Sequence, residues 1–354
     1  MSITSIIEKY DQTQHIDTKD VIEILRCSPA DEPSLYIEAD KIRAQHMGNE
    51  IYLRGIVEFS NYCRKNCYYC GIQRTNSSVH RYRMTPEEIV AACKKIEAAG
   101  QTTVVLQSGE DPYYSTELFG AILAEIKKHT SLAITVSVGE RDEATYAYWK
   151  EKGMDRYLLR FETSDEKLFK YCHPDDTLSV RLSCIHTLQK LGVQTGSGFL
   201  IGLPGETYEQ LAADILFCTH LDLDMIGIGP FIPHGETPFG STQNPFPKEV
   251  YFKTVALLRL LNKDAHIPST TAFDAIDPQG RNLLLERGCN VFMPNATPKQ
   301  YRKDYLLYPG KPCVDESADD CSSCVKLRVL GLGRTIGTGP GHSVKKSKIA
   351  EDTK

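Results

Sequence analysis

No stretch of this chain approaches the roughly 18 consecutive apolar residues that a membrane-spanning helix needs, so a place within a bilayer is not expected. The opening Met-Ser-Ile-Thr-Ser-Ile-Ile-Glu-Lys lacks the basic start and apolar core of a secretory signal, and the expected setting is the cytoplasm. A basic excess is missing as well: 41 Lys and Arg stand against 46 Asp and Glu, a net charge of −5. That balance gives nucleic acid no electrostatic footprint. Only the tail Lys345-Lys346-Ser347-Lys348 is locally basic, and it reads as a solvated end. There is no Gly-x-Gly-x-x-Gly turn, which removes the main support for an open nucleotide-binding sheet. No repeat of solenoid period is visible. Cysteine, by contrast, is plentiful. Twelve of them in a chain with no secretory signal point to metal ligation before disulfides.

From Ile51 onward strand-like and helix-like stretches alternate. Strands are predicted at 52–59, 102–108, 132–138, 155–161, 194–201, 223–229, 267–273 and 289–294. Helices are predicted between them, at 85–99, 115–128, 178–191, 207–221 and 248–262. Thr85-Pro86-Glu87-Glu88 supplies an N-cap, a Pro in the first turn and a capping-box acid. Eight such units in about 250 residues are the count of an α/β fold of the (β/α)8 TIM-barrel type. The barrel is assigned to residues 51–300. Residues 1–50 read as an N-terminal helical extension, with runs from Asp17 to Cys27 and from Leu35 to Met47 packing across the outside or one end of the barrel. Residues 301–354 form a C-terminal segment with a second cysteine group.

Chemistry in such a barrel collects at the carboxyl ends of its strands. The first strand runs into Phe59-Ser-Asn-Tyr-Cys-Arg-Lys-Asn-Cys-Tyr-Tyr-Cys-Gly71, where Cys63, Cys67 and Cys70 form C-x3-C-x2-C. Three soft ligands in one loop suit an iron–sulfur centre. A closed zinc site wants four ligands, and His80 is the nearest candidate for a fourth; a zinc loop and three incidental buried thiols are the other readings. A four-iron cluster with three protein ligands leaves one iron open. The second strand ends in Ser108-Gly109-Glu110, close backbone approach followed by acceptors for an ammonium group, or else a plain helix-capping turn. Ser137 ends the third strand facing the mouth, and Glu162 leaves the fourth into the same space, unless it merely caps the next helix. Arg181 offers a fork of donors to a carboxylate, or lies on a solvated face. Gly198 and Gly202 allow a flat ring to approach the fifth strand. Thr270, Thr271, Met293 and Tyr305 come from the last strands and line a second-substrate cavity, or are ordinary core. His234 reads as a loop histidine.

With aromatic Tyr69 just before Cys70, the loop resembles that of the radical S-adenosylmethionine (SAM) superfamily. The resemblance implies a [4Fe–4S] cluster on Cys63, Cys67 and Cys70, whose open iron chelates the amino and carboxylate groups of SAM next to Tyr69. An electron from an external donor then cleaves SAM to methionine and a 5′-deoxyadenosyl radical. It further implies that Ser108, Gly109 and Glu110 bind the methionyl amino group, Arg181 the carboxylate, Glu162 the ribose hydroxyls, and the strand of Gly198 and Gly202 the adenine, with Ser137 beside them. Phe161 stands where some relatives carry His.

Past the barrel, Cys313, Cys321 and Cys324 are spaced C-x7-C-x2-C in an Asp- and Ser-rich stretch, read as a surface loop well away from the barrel mouth. A second Fe–S cluster, [2Fe–2S] or [4Fe–4S], is the leading reading, and a zinc knuckle or a surface disulfide the alternatives. The other cysteines (Cys27, Cys93, Cys172, Cys184, Cys218 and Cys289) read as small hydrophobes. Both cysteine groups, with the runs 81–88, 107–113 and 227–234, resemble most closely the FeFe-hydrogenase maturases within the superfamily, beside biotin synthase and methylornithine synthase, over about residues 36–333. That resemblance implies an anaerobic enzyme of di-iron site assembly. Its substrate is a small-molecule or organometallic iron complex handed on by companion maturases. A radical enzyme acting on a small metabolite, such as an amino-acid mutase, and a zinc-stabilised binding module without catalysis are the competing classes.

Overall fold

The computed structural model describes residues 3–345. Its strands are β1 (Glu50–Ser60), β2 (Thr103–Ser108), β3 (Ala133–Ser137), β4 (Arg156–Leu158), β5 (Gln194–Ser197), β6 (Leu200–Ile201), β7 (Met225–Ile226), β8 (Gly229–Pro230), β9 (Pro268–Ser269), β10 (Val291–Phe292) and β11 (Thr335–Ile336). All pair in parallel: eight in the order β7-β5-β4-β3-β2-β1-β10-β9, β11 beside β1, and β6 with β8, while a bridge between Met225 and His266 joins the two ends of the row. The result is the nearly closed eight-stranded parallel barrel that the alternating pattern predicts. Its fifth and sixth strands are each interrupted, giving β5 then β6 and β7 then β8. Gly198, at φ +150°, causes the break: a Cβ there would lie 2.2 Å from the Gly227 carbonyl oxygen. The ladder nonetheless continues, with Gly227 N donating to Ser197 O and Phe231 N to Ile201 O.

Most predicted helices lie within a residue or two of the observed ones. Pro86–Ala98 starts with the expected reciprocal capping box of Thr85 and Glu88. Thr18–Leu25 is capped by Asp17, with Asp20 returning the hydrogen bond. The N-terminal helices Thr18–Leu25 and Glu32–Met47 pack on the barrel helices Tyr208–His220 and Lys248–Leu261. Lys248–Leu261 is consequently enclosed on all sides, every residue from Val250 to Leu261 being buried. Even Lys253 lies inside, with Glu32 at 3.2 Å and the Cys27 carbonyl oxygen at 2.8 Å to balance its charge.

The C-terminal cysteines correct one expectation. Cys321 and Cys324 are on a helix, Ala318–Gly331, and not in a loop. Ser317 caps it in a capping box with Asp320, and Asp319 and Asp320 complement the helix dipole at its first turn, so the acidic composition read as loop is a helix start. Beyond β11 the chain crosses the amino-terminal end of the barrel and forms its floor. There Arg54 Nη2 donates to Gly341 O (3.1 Å) and Arg156 Nη2 to Pro340 O (2.6 Å). Thr102 and Thr103 add hydroxyl bonds to Gly339 O and Pro340 O. Both guanidiniums are buried, and among the described residues neither has a carboxylate within ion-pair distance. Lys345 ends the strap on Asp222, while Lys346, Ser347 and Lys348 of the basic tail lie outside the described residues. No helix among the described residues is long and apolar enough to cross a membrane.

The floor gives a stability prediction. A chain ending at Ile336 loses the carbonyls that satisfy Arg54 and Arg156, and its Tm should fall by roughly 5 °C or more, because each stranded buried donor costs about 1–3 kcal/mol. A chain ending at Lys345 should melt like the full one. Equal melting of the two shortened chains in a thermal scan would show that the strap carries no such weight.

Candidate active site at the barrel mouth

Where β1 ends, Asn61 turns the chain away from the sheet. Its side chain donates to His80 O and Asp304 O and accepts from Tyr82 N, so both ends of the loop 61–82 are tied to one residue. Arg81 then holds the loop from within, its guanidinium donating to the carbonyls of Asn61, Ile72, Gln73 and Asn76. Cys63, Cys67 and Cys70 ride on this frame, half-buried. The Cys63 sulfur already accepts N–H bonds from Lys65 (3.4 Å) and Glu110 (3.3 Å), the kind of contact that tunes iron–sulfur ligands. A tetrahedral zinc site would hold its sulfurs roughly 3.8 Å apart. These three are too dispersed to share one ion: among the described residues the one set of three ligand atoms within 4.8 Å of each other lies elsewhere. Burial, and then the neighbouring thiols, push the Cys67 thiol well up, and burial takes Cys70 up to about 12. Their ionisation therefore needs the positive charge of bound metal.

Behind the loop lies a buried ion-pair network. Lys65 Nζ is 2.7 Å from Glu140 and 2.8 Å from Asp176; Arg181 Nε is 2.6 Å from Glu140, and its Nη2 is 3.2 Å from Asp176. Burial alone would lower the Lys65 pKa, but hydrogen bonds to Asp176 and Glu140 reverse that and raise it. Glu110 joins through Arg64 (2.5 Å) and accepts from Glu140 N (2.8 Å).

This arrangement modifies several readings of single residues. Gly109 is required by the loop itself, since a Cβ there would lie 2.2 Å from Tyr62 O. Glu110 anchors the cysteine loop. Arg181 already serves two carboxylates and Arg160 O, with two of its five N–H groups left over. Ser108 donates to Gly109 O, and Ser137 ends β3 beside Gln107 at the mouth.

Glu162 is held in an unusual state. It sits at φ +68°, a strained backbone for a non-glycine. One oxygen lies 3.2 Å from Arg160, and Oε2 is buried with no hydrogen-bond partner. An acceptor stranded at the mouth fits the ribose hydroxyls of SAM, and three dispersed thiols fit a cluster that leaves one iron open. Both groups thus suit the residues present.

Several site residues carried no signal that we read in the sequence. Between Glu166–Cys172 and the next helix, the segment 172–176 lies along the cysteine loop. Cys172 O accepts from Tyr68 N (2.9 Å), Asp175 from Asn66 N (3.4 Å), and His173 Nε2 lies 2.9 Å from the Tyr69 hydroxyl. Burial, aided by the charge of Arg181, pushes His173 down to about 3, so it is neutral. Beneath Gly202, Glu206 Oε2 accepts the N–H groups of Gly202 (2.6 Å) and Leu203 (3.1 Å). Asp214 accepts from Ser164 N and Oγ, both at 2.5 Å. Gly202 itself is at φ +86° with the Tyr251 hydroxyl against it.

Deeper in the barrel a cavity is bordered by Glu58, Thr271, Met293, Lys311, Cys313 and Cys321. Thr271 and Met293 are among its lining residues. Thr270 instead bonds Ile228 O, and Tyr305 lies buried against Gln107. Cys313, Glu316 and Cys321 are the set of ligand atoms within 4.8 Å. Cys324, one turn further along the helix, is exposed and outside that set. Cys321 is buried and borders this cavity, so the second thiol group is not confined to a remote surface as its composition suggested. A hydrogen bond from Cys321 lowers the Cys313 thiol.

Barrel, thiolate loop and mouth define an iron–sulfur enzyme of the radical SAM type. The sequence profile of the Radical SAM superfamily matches residues 57–218, and the chain belongs to that superfamily. Within it, the chain is 48% identical over 304 residues, 86% of its own length and 87% of the relative's, to the [FeFe] hydrogenase maturase subunit HydE of Thermotoga maritima. The crystal structure of methylornithine synthase (PylB) superposes with a TM-score of 0.81 at 25% identity, covering 94% of this chain and 97% of that one. HydG, a maturase of the [FeFe]-hydrogenase, shares the fold at a TM-score of 0.79 and 19% identity, covering 95% of this chain and 75% of its own.

The acids beneath the mouth predict a pH dependence. Burial pushes Asp214 up from 3.8 to about 7. Its proton is held more tightly folded than unfolded, so its contribution is fully present below about 4 and is lost as pH rises through about 7. Unfolding free energy should fall across that window by on the order of 4 kcal/mol. Asp214→Asn should flatten the fall in anaerobic denaturant titrations, and an unchanged slope would refute the assignment.

Proposed function

We propose that this chain is a maturase acting in the assembly of the FeFe-hydrogenase di-iron site. The observation that carries this is the 48% identity to HydE over 86% of the chain, joined to a mouth whose thiols and stranded carboxylate suit a cluster and SAM. When bound, those two groups supply one-electron reduction and a 5′-deoxyadenosyl radical. The chain's own residues bind and orient. Cys63, Cys67 and Cys70 hold the [4Fe–4S] cluster, and Tyr69 flanks the bound SAM. Ser108, Gly109, Glu110 and Ser137 border the methionyl group, and the free donors of Arg181 face its carboxylate. Glu162 takes the ribose hydroxyls, and the turn of Gly198 and Gly202 takes the adenine. The cavity past Thr271 and Met293 receives a small organometallic substrate. Cys313 and Cys321, joined by Cys324, hold a second Fe–S cluster. Companion maturases deliver and collect the iron unit, an external donor provides the electron, and the cytoplasm is the setting.

Reduced, reconstituted protein should release 5′-deoxyadenosine from SAM, and Cys67→Ala should abolish this. Glu162→Ala should keep its cluster iron but lose about 10- to 100-fold in SAM affinity, as expected for one charge-assisted contact. Exchanging Cys313, Cys321 and Cys324 for Ala should lower total iron and leave the cleavage intact. Full cleavage by Cys67→Ala would overturn the cluster assignment.

The biological role is tested in cells that make FeFe-hydrogenase. Deleting this protein should remove hydrogenase activity, and restoring it should return that activity. Undiminished activity in the deletion would direct the search to a small-metabolite substrate instead.

A further inference from the structure

We infer that His173 is a positioning residue for Tyr69 and, through it, for the adenosyl end of the bound SAM. The inference rests on the reading above that Tyr69 flanks the cofactor. His173 caps the carboxyl end of the helix Glu166–Cys172, and it is buried. Its Nδ1 lies 3.0 Å from Phe169 O, and a carbonyl can only accept, so Nδ1 carries the proton. Nε2 is then an acceptor, and the Tyr69 hydroxyl, 2.9 Å away, must donate to it. The imidazole cannot swing aside. Its ring stacks on Phe169 with centroids 4.2 Å apart and meets the Tyr69 ring edge-on at 5.4 Å. The backbone repeats the tie one residue earlier, through Tyr68 N and Cys172 O.

Tyr69 needs such an acceptor. It packs against a small apolar group that includes Leu168, Leu200, Leu203 and Phe231. Leu200 and Leu203 flank Gly202, so the Tyr69 ring and the turn assigned to adenine share one wall. A phenol there without an acceptor would strand a buried donor, and the ring would turn to find water. His173 fixes the ring instead.

The test uses reconstituted, iron-loaded protein and four variants: His173→Leu, His173→Gln, Tyr69→Phe and Tyr69→Phe/His173→Leu. SAM affinity is measured by equilibrium dialysis, and the change in the EPR spectrum of the reduced cluster on adding SAM is recorded beside it. His173→Leu should bind SAM roughly tenfold more weakly at unchanged iron content, with an altered SAM-induced spectrum. His173→Gln, which keeps an acceptor, should lie within about threefold of the parent, and the double variant should be no weaker than His173→Leu. Parent-like affinity in His173→Leu overturns the inference, as does a Gln variant no better than Leu, or single losses that multiply in the double variant. Should His173→Leu fail to take up iron, Tyr69→Phe decides: parent-like affinity in it overturns the inference, and a tenfold loss sustains it. A parent protein that loads iron yet binds no SAM overturns the functional reading and this inference with it, which separates the two failures.

Discussion

The cysteine loop depends on a set of buried charges that the loop shares with the strand ends around it. Lys65, between the first two cluster cysteines, is gripped by Glu140 from the end of β3 and by Asp176, and the same two carboxylates grip Arg181. Two cations and two carboxylates in one dry pocket are held by mutual attraction, and removing one partner typically costs about 3–5 kcal/mol because the others stay buried and unpaired. A loop anchored in this way can carry three thiols at fixed spacing before any metal arrives.

A functional consequence follows from where the barrel is open and where it is shut. At the carboxyl ends of the strands the mouth collects thiols, acids and small residues. At the opposite end the strap 337–345 lies across Arg54 and Arg156 and seals the floor with backbone carbonyls. An interior closed below would, with a cluster and SAM held at the mouth, exclude water from the radical chemistry those groups would supply. Cys313 and Cys321 border a cavity lined by residues of β1 and the last strands, so this thiol group is not merely a surface feature.

The barrel was legible because its information is local and repeated. Eight apolar runs with helix patterns between them survive errors of a residue or two, and caps such as Thr85 and Asp17 mark helix starts by side-chain chemistry alone. The three cluster cysteines were legible for the same reason, lying within eight residues of chain. What stayed hidden is what depends on distant partners. Arg81 looks like a surface base until the loop closes round it. His173 looks like an ordinary loop histidine until Tyr69 arrives from 104 residues away. Gly109 carries a second constraint invisible in the sequence, because Tyr62 O lies where its Cβ would be. The acidic run before Cys321 was taken for loop because acids at a helix start and acids in a loop have the same composition, and only the Ser317–Asp320 spacing separates them.

The central claim is that the three-thiolate loop leaves one iron open to SAM. Electron–nuclear double resonance on the reduced protein, with SAM labelled in its carboxylate and amino groups, tests it directly. The account predicts hyperfine coupling from both labelled groups to the cluster spin, lost in Cys67→Ala. A reduced cluster that shows no coupling to either label, in protein that binds SAM, would contradict it.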